Sequence, residues 1–206
     1  GELYLINTSS LQKSGPYELG FNPDAVDIAV DNKYVVVVNE FDYEDGVDGG
    51  CDNLGFPGVS IYDISSGIDK AVLVKDMKIS HTGSNGNLAE PEGVKIAPNG
   101  TTVYMTLQES NELGWFSINN PPDVLVDKVT FTNPEHEPDG IWVNSDGSLI
   151  CTAGEYDGTI GVHQLDSSGK PSSQSYIRMA DDLPSNWDWD DKRKGIEPEE
   201  VVIAEA

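Results

Sequence analysis

The sequence predicts an all-β protein, a β-propeller of four-stranded antiparallel blades. Three observations support this fold class. One short phrase recurs four times along the 206 residues, strand-like segments follow it in the same order, and no amphipathic helical pattern of ten or more residues is present. A four-stranded unit that repeats every roughly 45–65 residues is typical of a propeller blade. A β-sandwich is the alternative, but it gives no reason for the strands to recur in phase.

The recurring phrase is proline, an acid, usually a small residue, and then a β-branched apolar residue. Its copies are Pro23-Asp24-Ala25-Val26, Pro91-Glu92-Gly93-Val94, Pro138-Asp139-Gly140-Ile141 and Pro198-Glu199-Glu200-Val201. Each copy opens a first strand, A. A hairpin turn signal and an apolar strand B follow the first three copies, and strands C and D come next. We expect the D strands at 72–79, 124–132 and 173–179.

This repeat divides the chain into about three complete blades with partial blades at both ends. Residues 1–20 are predicted to end a preceding blade, and residues 195–206 to start a further one. The complete blades are predicted at 21–80, 89–132 and 136–180. Because a closed ring needs at least about four blades, the expected partners are the rest of the same propeller or other protein chains.

The composition is strongly acidic, with 36 Asp and Glu residues against 12 Lys and Arg residues, for a formal net charge of −24. Nucleic-acid phosphates and anionic lipid would both be repelled, so no nucleic-acid partner is expected. No stretch of 18 apolar residues occurs, and no membrane insertion is expected in this segment.

The order of these phrases also resembles a known family. The match is carried by Pro23 through Glu40, by Glu90 through Asn111 and by Glu137 through Glu155, which together cover most of residues 21–165. These segments resemble the choice-of-anchor I propellers, which are related to a mesenchyme-specific cell-surface glycoprotein and to phytase-like propellers. The resemblance implies an extracellular or cell-surface protein, in a family that often has no established activity.

Strand direction predicts where the repeated acids gather. In an antiparallel blade the start of strand A and the end of strand B lie at the same edge of the sheet. The repeat pairs Asp24 with Glu40, Glu92 with Glu109, and Asp139 with Glu155, so carboxylates are expected near one mouth of the channel. The loop at 41–57 lies at the same edge and adds four acids, Asp42, Glu44, Asp45 and Asp48.

Close carboxylates repel one another unless a cation or hydrogen bonds compensate. Ca²⁺ takes six to eight oxygen ligands in flexible geometry, so calcium is the predicted cofactor. The candidate metal ligands are Glu40, Asp42, Glu44, Asp45, Asp48, Glu92, Glu109, Asp139 and Glu155. The alternative for the repeated acids is that they accept backbone N–H bonds from the neighbouring blade and lock the repeat together.

These observations favour a non-enzymatic module with a calcium-dependent binding, adhesion, matrix or assembly role through its acidic face, with mineral or glycan as candidate partners. The alternative is a phytase-like, calcium-dependent phosphoesterase, in which clustered Ca²⁺ would clamp phosphate. The basic run Lys192-Arg193-Lys194, in a loop at the same edge, keeps that alternative open. A third interpretation is that the acidity only promotes solvation in a salty medium.

The sequence also contains two glycosylation sequons and two cysteines. Asn7 and Asn99 begin N-glycosylation sequons at the edge opposite the acids. Cys151, in a strand B, is expected to be a small buried apolar side chain, whereas Cys51 lies in the long first loop, two blades away.

Histidine and tryptophan side chains leave alternatives open. His81 and His136 fall in loops at the acidic edge, where they could bind a metal, act as bases or simply be solvated. Trp187 and Trp189 could stack on a sugar or pack their loop against a blade.

Overall fold

The computed structural model describes residues 1–40, 57–80, 89–178 and 199–204. Within these ranges the chain forms fourteen β-strands and one short 3₁₀ helix at Ile68–Lys70. None of the described helical residues forms a segment long and apolar enough to cross a bilayer. The strands are β1 (Glu2–Ile6), β2 (Lys13–Glu18), β3 (Pro23–Ile28), β4 (Tyr34–Asn39), β5 (Gly58–Asp63), β6 (Val72–Lys78), β7 (Pro91–Ile96), β8 (Thr102–Leu107), β9 (Glu112–Ser117), β10 (Lys128–Thr130), β11 (Pro138–Val143), β12 (Leu149–Gly154), β13 (Thr159–Leu165) and β14 (Pro171–Arg178).

Twelve of these strands form three antiparallel sheets, each in plain chain order: β3 to β6 (blade 1), β7 to β10 (blade 2) and β11 to β14 (blade 3). The hairpin β1–β2 forms a separate two-stranded sheet that packs against blade 1. The first strands β3, β7 and β11 lie side by side, with β7 between the other two. Sheets arrayed around their first strands are propeller blades, so the predicted fold class is confirmed.

The recurring proline phrase proves to be a β-bulge. Pro23 pairs with Asn39 but Val26 pairs with Val37, so three steps along β3 match two steps along β4. The same shift falls between proline and the β-branched residue in β7 and in β11. A bulge inserts one residue and turns the strand locally, and here the acid and the small residue occupy the inserted stretch.

The small residue of the phrase lets neighbouring first strands approach closely. A Cβ added at Gly93 would lie 2.6 Å from the carbonyl oxygen of Asp139 in the next blade. One added at Gly140 would lie 2.9 Å from Cα of Glu200. Both distances are too short for a side chain, so glycine at these positions permits the narrow spacing around the channel.

The core lies between blades, which explains the uninterrupted apolar strands. Val36 and Val38 of β4 pack towards blade 2, whereas Val35 and Val37 pack towards the β1–β2 hairpin. Because both faces of the strand are covered, its sequence does not alternate between apolar and polar residues. A second core, which includes Tyr104 and other apolar side chains, fills the space between blades 2 and 3.

Two strand predictions were wrong. The fourth strand of blade 2 covers only Lys128–Thr130, not 124–132, because the preceding segment crosses to blade 1. There Val124 forms a parallel bridge with Lys78, and the Leu125 N–H donates to the Lys78 carbonyl at 2.9 Å. The strand expected at 201–204 is absent within the described residues 199–204, which pair with none of the fourteen strands.

Candidate functional site

The bulges and strand ends bring the repeated acids to one edge of the blades. Asp24 follows the proline that opens β3, and Glu40 directly follows the last residue of β4, which pairs with that proline. The Glu40 N–H closes the ladder by donating to the Asn22 carbonyl at 2.8 Å. Asp139 and Glu155 occupy the same two positions in blade 3. We call Asp24, Glu40, Glu92, Asp139 and Glu155 the acidic rim.

Blade 2 departs from the expected pairing, because its register places Gln108 rather than Glu109 beside Glu92. The Gln108 N–H donates to the Glu90 carbonyl at 2.7 Å, which is the bond made by the equivalent residue in the other blades. The Gln108 amide then donates to a carboxylate oxygen of Glu155, while Glu109 lies in the following turn. The sequence does contain a signal for Gln108. Glu40, Gln108 and Glu155 each lie eight positions after a residue of the preceding hairpin turn, namely Asn32, Gly100 and Gly147.

Three carboxylates of the rim form a compact cluster. Ligand oxygens of Asp24, Glu40 and Glu92 all lie within 4.8 Å of one another. Asp24 is exposed, and the other two are partly buried. Because Glu92 belongs to blade 2 and the other two to blade 1, the cluster spans the boundary between these blades.

Burial, and for two of them also the charge of neighbouring acids, raises the pKa of three carboxyl groups of the rim. Burial, with the charges of Glu40 and Asp24, raises the pKa of Glu92 to about 10. Burial, with the charge of Glu155 as the next cause, raises the pKa of Asp139 to about 7. Burial also raises the pKa of Asp24, although its hydrogen bond with Glu92 acts in the opposite direction. Without a cation, part of the rim is therefore protonated near neutral pH.

The rim borders a groove of about 290 Å³ between the first strands. Lys95 is the basic side chain among the described residues that line it. Its ammonium lies 3.4 Å from a carboxylate oxygen of Asp27 and 4.8 Å from the ring centroid of Trp142. Lys95 of blade 2 thus places its positive charge between Asp27 of blade 1 and Trp142 of blade 3, three positions along the chain from the rim residue Glu92.

Two further residues, Asp27 and Thr106, make hydrogen bonds that join neighbouring blades. Asp27 accepts the Ile96 N–H at 2.7 Å across blades 1 and 2. The Thr106 hydroxyl accepts the Gly93 N–H at 2.7 Å and donates to the Asp139 carbonyl at 2.6 Å, which joins blades 2 and 3. Neither Asp27 nor Thr106 stands out from its strand pattern, so the sequence alone does not identify these contacts.

Part of the predicted site lies outside the described residues. The loop acids, the second cysteine, one histidine, two tryptophans and the basic run all remain predictions there: Asp42, Glu44, Asp45, Asp48, Cys51, His81, Trp187, Trp189, Lys192, Arg193 and Lys194.

Two of the smaller predictions, for His136 and Cys151, can be compared with the structure. His136 is fully buried rather than solvated, because its ring is enclosed between blade 2 and blade 3. Cys151 is buried as expected, and burial raises the pKa of its thiol.

The two sequon asparagines lie away from the rim, in exposed turns. Asn7 follows β1, and its side-chain oxygen accepts the Ser9 and Ser10 N–H groups at 3.0 Å each. Asn99 lies in the β7–β8 turn, where its side-chain oxygen accepts the Thr101 N–H at 2.9 Å. Glycosylation at both positions stays a prediction.

Fold and rim together define a β-propeller segment with an acidic edge. No protein-family model matches the chain. It is 26% identical over 158 residues to a 6-phosphogluconolactonase of Serratia proteamaculans, a match that covers 76% of this chain and 41% of the lactonase. The chain thus spans less than half the length of this curated relative.

Solved structures support the fold. Hydrazine synthase of Kuenenia stuttgartiensis aligns with a TM-score of 0.59 at 17% identity, over 86% of this chain and 43% of that one. An auxiliary nutrient binding protein from Bacteroides thetaiotaomicron aligns with a TM-score of 0.57 at 11% identity, over 85% of this chain and 36% of that one. At these identities the likeness concerns the fold alone. The resemblance to choice-of-anchor I proteins stays a prediction.

Proposed function

We propose that this chain is part of an extracellular or cell-surface propeller that binds Ca²⁺ at its acidic rim and uses the bound ion in adhesion, matrix binding or assembly. The observation that carries the proposal is the cluster of Asp24, Glu40 and Glu92, with ligand oxygens within 4.8 Å of one another. The resemblance to surface propellers supports the location, and the cluster supports the ion.

The donor chemistry fits calcium. Three carboxylates offer up to six oxygens, and Ca²⁺ accepts six to eight oxygen ligands at flexible geometry. The same oxygens are poor ligands for soft metals, which prefer sulfur. An ion at this position would replace the protons held by Glu92 and would neutralise the repulsion across the boundary between blades 1 and 2.

The ion would also give the rim a way to recognise a partner. An anionic glycan, a mineral surface or an acidic protein loop would be repelled by a chain of net charge −24. A Ca²⁺ ion with open coordination positions turns that repulsion into a direct bridge. Glycans at Asn7 and Asn99, at the opposite edge, would leave the rim accessible.

Calorimetry on chelator-treated protein tests the proposal. We expect heat on titration with Ca²⁺ at pH 8, and a large loss of affinity in Glu92→Gln. The matched control is Asp69→Asn, which removes an exposed carboxylate from the 3₁₀ helix and should bind as the wild type does. Absence of heat at millimolar Ca²⁺, or equal weakening by both variants, would refute rim binding.

A hydrolase is the second candidate function, because the chain aligns with a 6-phosphogluconolactonase over 76% of its length. Such an enzyme, or a phytase-like phosphoesterase, would hold a phosphorylated substrate beside carboxylates. Lys95 in the groove is already engaged by Asp27, so a bound cation would have to bridge the phosphate to the rim. Assays of lactone and phosphate-ester hydrolysis with and without Ca²⁺ separate this function from binding alone.

A further inference from the structure

Two histidine side chains are fully buried between blades 2 and 3. His136 precedes β11, and His163 lies in β13. Both rings pack against Phe131 from blade 2, each with a centroid distance of 4.8 Å. Tyr176 of β14 closes the pocket, with its ring centroid 5.3 Å from that of His136.

His136 is well provided with hydrogen-bond partners. Its Nδ1 lies 2.8 Å from Oγ1 of Thr159, and its Nε2 lies 2.8 Å from Oγ1 of Thr152. An oxygen of Asp157 lies 3.8 Å from the same Nδ1. Gly161 gives the ring room, since a Cβ there would lie 2.9 Å from Nε2. His136 therefore has hydroxyl partners and a nearby carboxylate.

His163 has neither. Both of its ring nitrogens are buried and make no hydrogen bond within the described structure. Its cross-strand neighbours are Ile150 on β12 and Gln174 on β14, which carry no charge. The titratable groups around this pocket are His136, Tyr176 of β14 and Asp157, which already accepts hydrogen bonds from Thr159.

A proton on His163 would thus be a buried charge with no acceptor, and such a charge is costly. Burial, with the proximity of His136 as the second cause, lowers the pKa of His163 to about 4. In the unfolded chain the pKa of a histidine is about 6.5. The contribution of His163 to the free energy of unfolding is therefore fully present above about pH 6.5 and is lost as the pH falls towards 4.

The same pocket sits beside the contacts that join the two blades at their outer edge. The Gln174 side chain accepts the Thr132 N–H at 2.8 Å and donates to the Thr130 carbonyl at 3.1 Å. The Tyr176 hydroxyl accepts the Asn133 N–H at 3.2 Å. Water that enters to solvate a charged His163 would reach these bonds first.

We propose that the interface between blades 2 and 3 is an acid-sensitive latch, in which protonation of His163 admits water and loosens β14 from the end of β10. Loosening would also separate Gln108 of blade 2 from Glu155 of blade 3, so acid would disturb one side of the rim. This inference does not depend on cation binding.

Urea unfolding of the whole chain in chelator, at pH 7.0 and pH 4.5, tests the latch. The variants are His163→Gln and His163→Leu, which cannot titrate; if one fails to fold at pH 7.0, the other serves. Between the two pH values, the unfolding constant of the wild type should rise about 60-fold more than that of the variant. Subtracting the variant removes the contribution of the carboxylates, which all three proteins share.

Hydrogen exchange locates the effect. At pH 4.5 the wild type should lose protection in β10 and β14 but keep it in β4 and β5, and the variants should keep it in all four strands. If wild type and variants respond to pH in parallel, or if protection is lost evenly across the blades, the latch is refuted.

Discussion

Replacement of Asp139 by Asn should stabilise the cation-free protein, and the gain should depend on pH. The pKa of this carboxyl is raised from 3.8 to about 7 by burial and by the neighbouring acids. A difference of about three pKa units corresponds to about 4 kcal/mol for a group shielded from water. Asp139 is only partly buried, so solvent screening reduces the unfavourable free energy of its ionised form to about 2 kcal/mol. Asn keeps the shape of the side chain and removes the charge.

The direction of the pH dependence follows from the raised pKa. The folded protein binds this proton more tightly than the unfolded chain, so the contribution of Asp139 to stability is most favourable below about pH 4 and falls as the pH rises through 7. The stabilisation by Asp139→Asn should therefore approach about 2 kcal/mol at pH 8 and be less than half of that at pH 5.

Urea unfolding in EDTA at both pH values measures these differences, with Asp69→Asn as the control. That exposed carboxylate lies outside the rim, and its removal should change stability by less than about 0.5 kcal/mol at either pH. Equal stabilisation by Asp139→Asn at pH 5 and pH 8, or destabilisation at pH 8, would show that burial and the neighbouring acids do not destabilise the ionised Asp139 carboxylate.

Three further substitutions test how the blades are held together, each by its urea midpoint at pH 7. Gly93→Ala places a Cβ 2.6 Å from the Asp139 carbonyl and should cost about 1–3 kcal/mol; a neutral result would mean that the first strands can move apart freely. Thr106→Val leaves the Gly93 N–H and the Asp139 carbonyl without this partner and should cost about 1–3 kcal/mol, so an unchanged midpoint would show that water replaces the lock. Lys128→Met removes the ammonium that lies 2.8 Å from the fully buried carboxylate of Glu112 and should cost about 3–5 kcal/mol; adding Glu112→Leu should restore part of this, and no recovery would contradict the ion pair.

The repeat predicts the three sheets because each blade consists of local hairpins, and the turns and apolar strands of these hairpins can be recognised in the sequence. The acidic edge also follows from the sequence, since strand direction alone places the start of A beside the end of B. The Pro-acid-small phrase marks the bulge as well, although only the register shows that Gly93 faces the next blade.

What the sequence misses depends on contacts between distant residues. Glu109 was predicted as a metal ligand because glutamates recur at this point in the other blades, yet the strand register places Gln108 there. The segment before Lys128 has the composition of a strand, but Leu125 packs against Gly114 and pairs with blade 1 instead. Burial of His163 likewise depends on Phe131 of another blade, which no local pattern reveals.

Calcium titration in two buffers of different ionisation enthalpy, at pH 7, tests the central claim most directly. If the rim binds the ion by displacing the proton held by Glu92, the measured heat must differ between the buffers by an amount that reports proton release. The difference should disappear in the double variant Asp24→Asn, Glu92→Gln. Binding with no proton release, or no binding at all, would contradict the account.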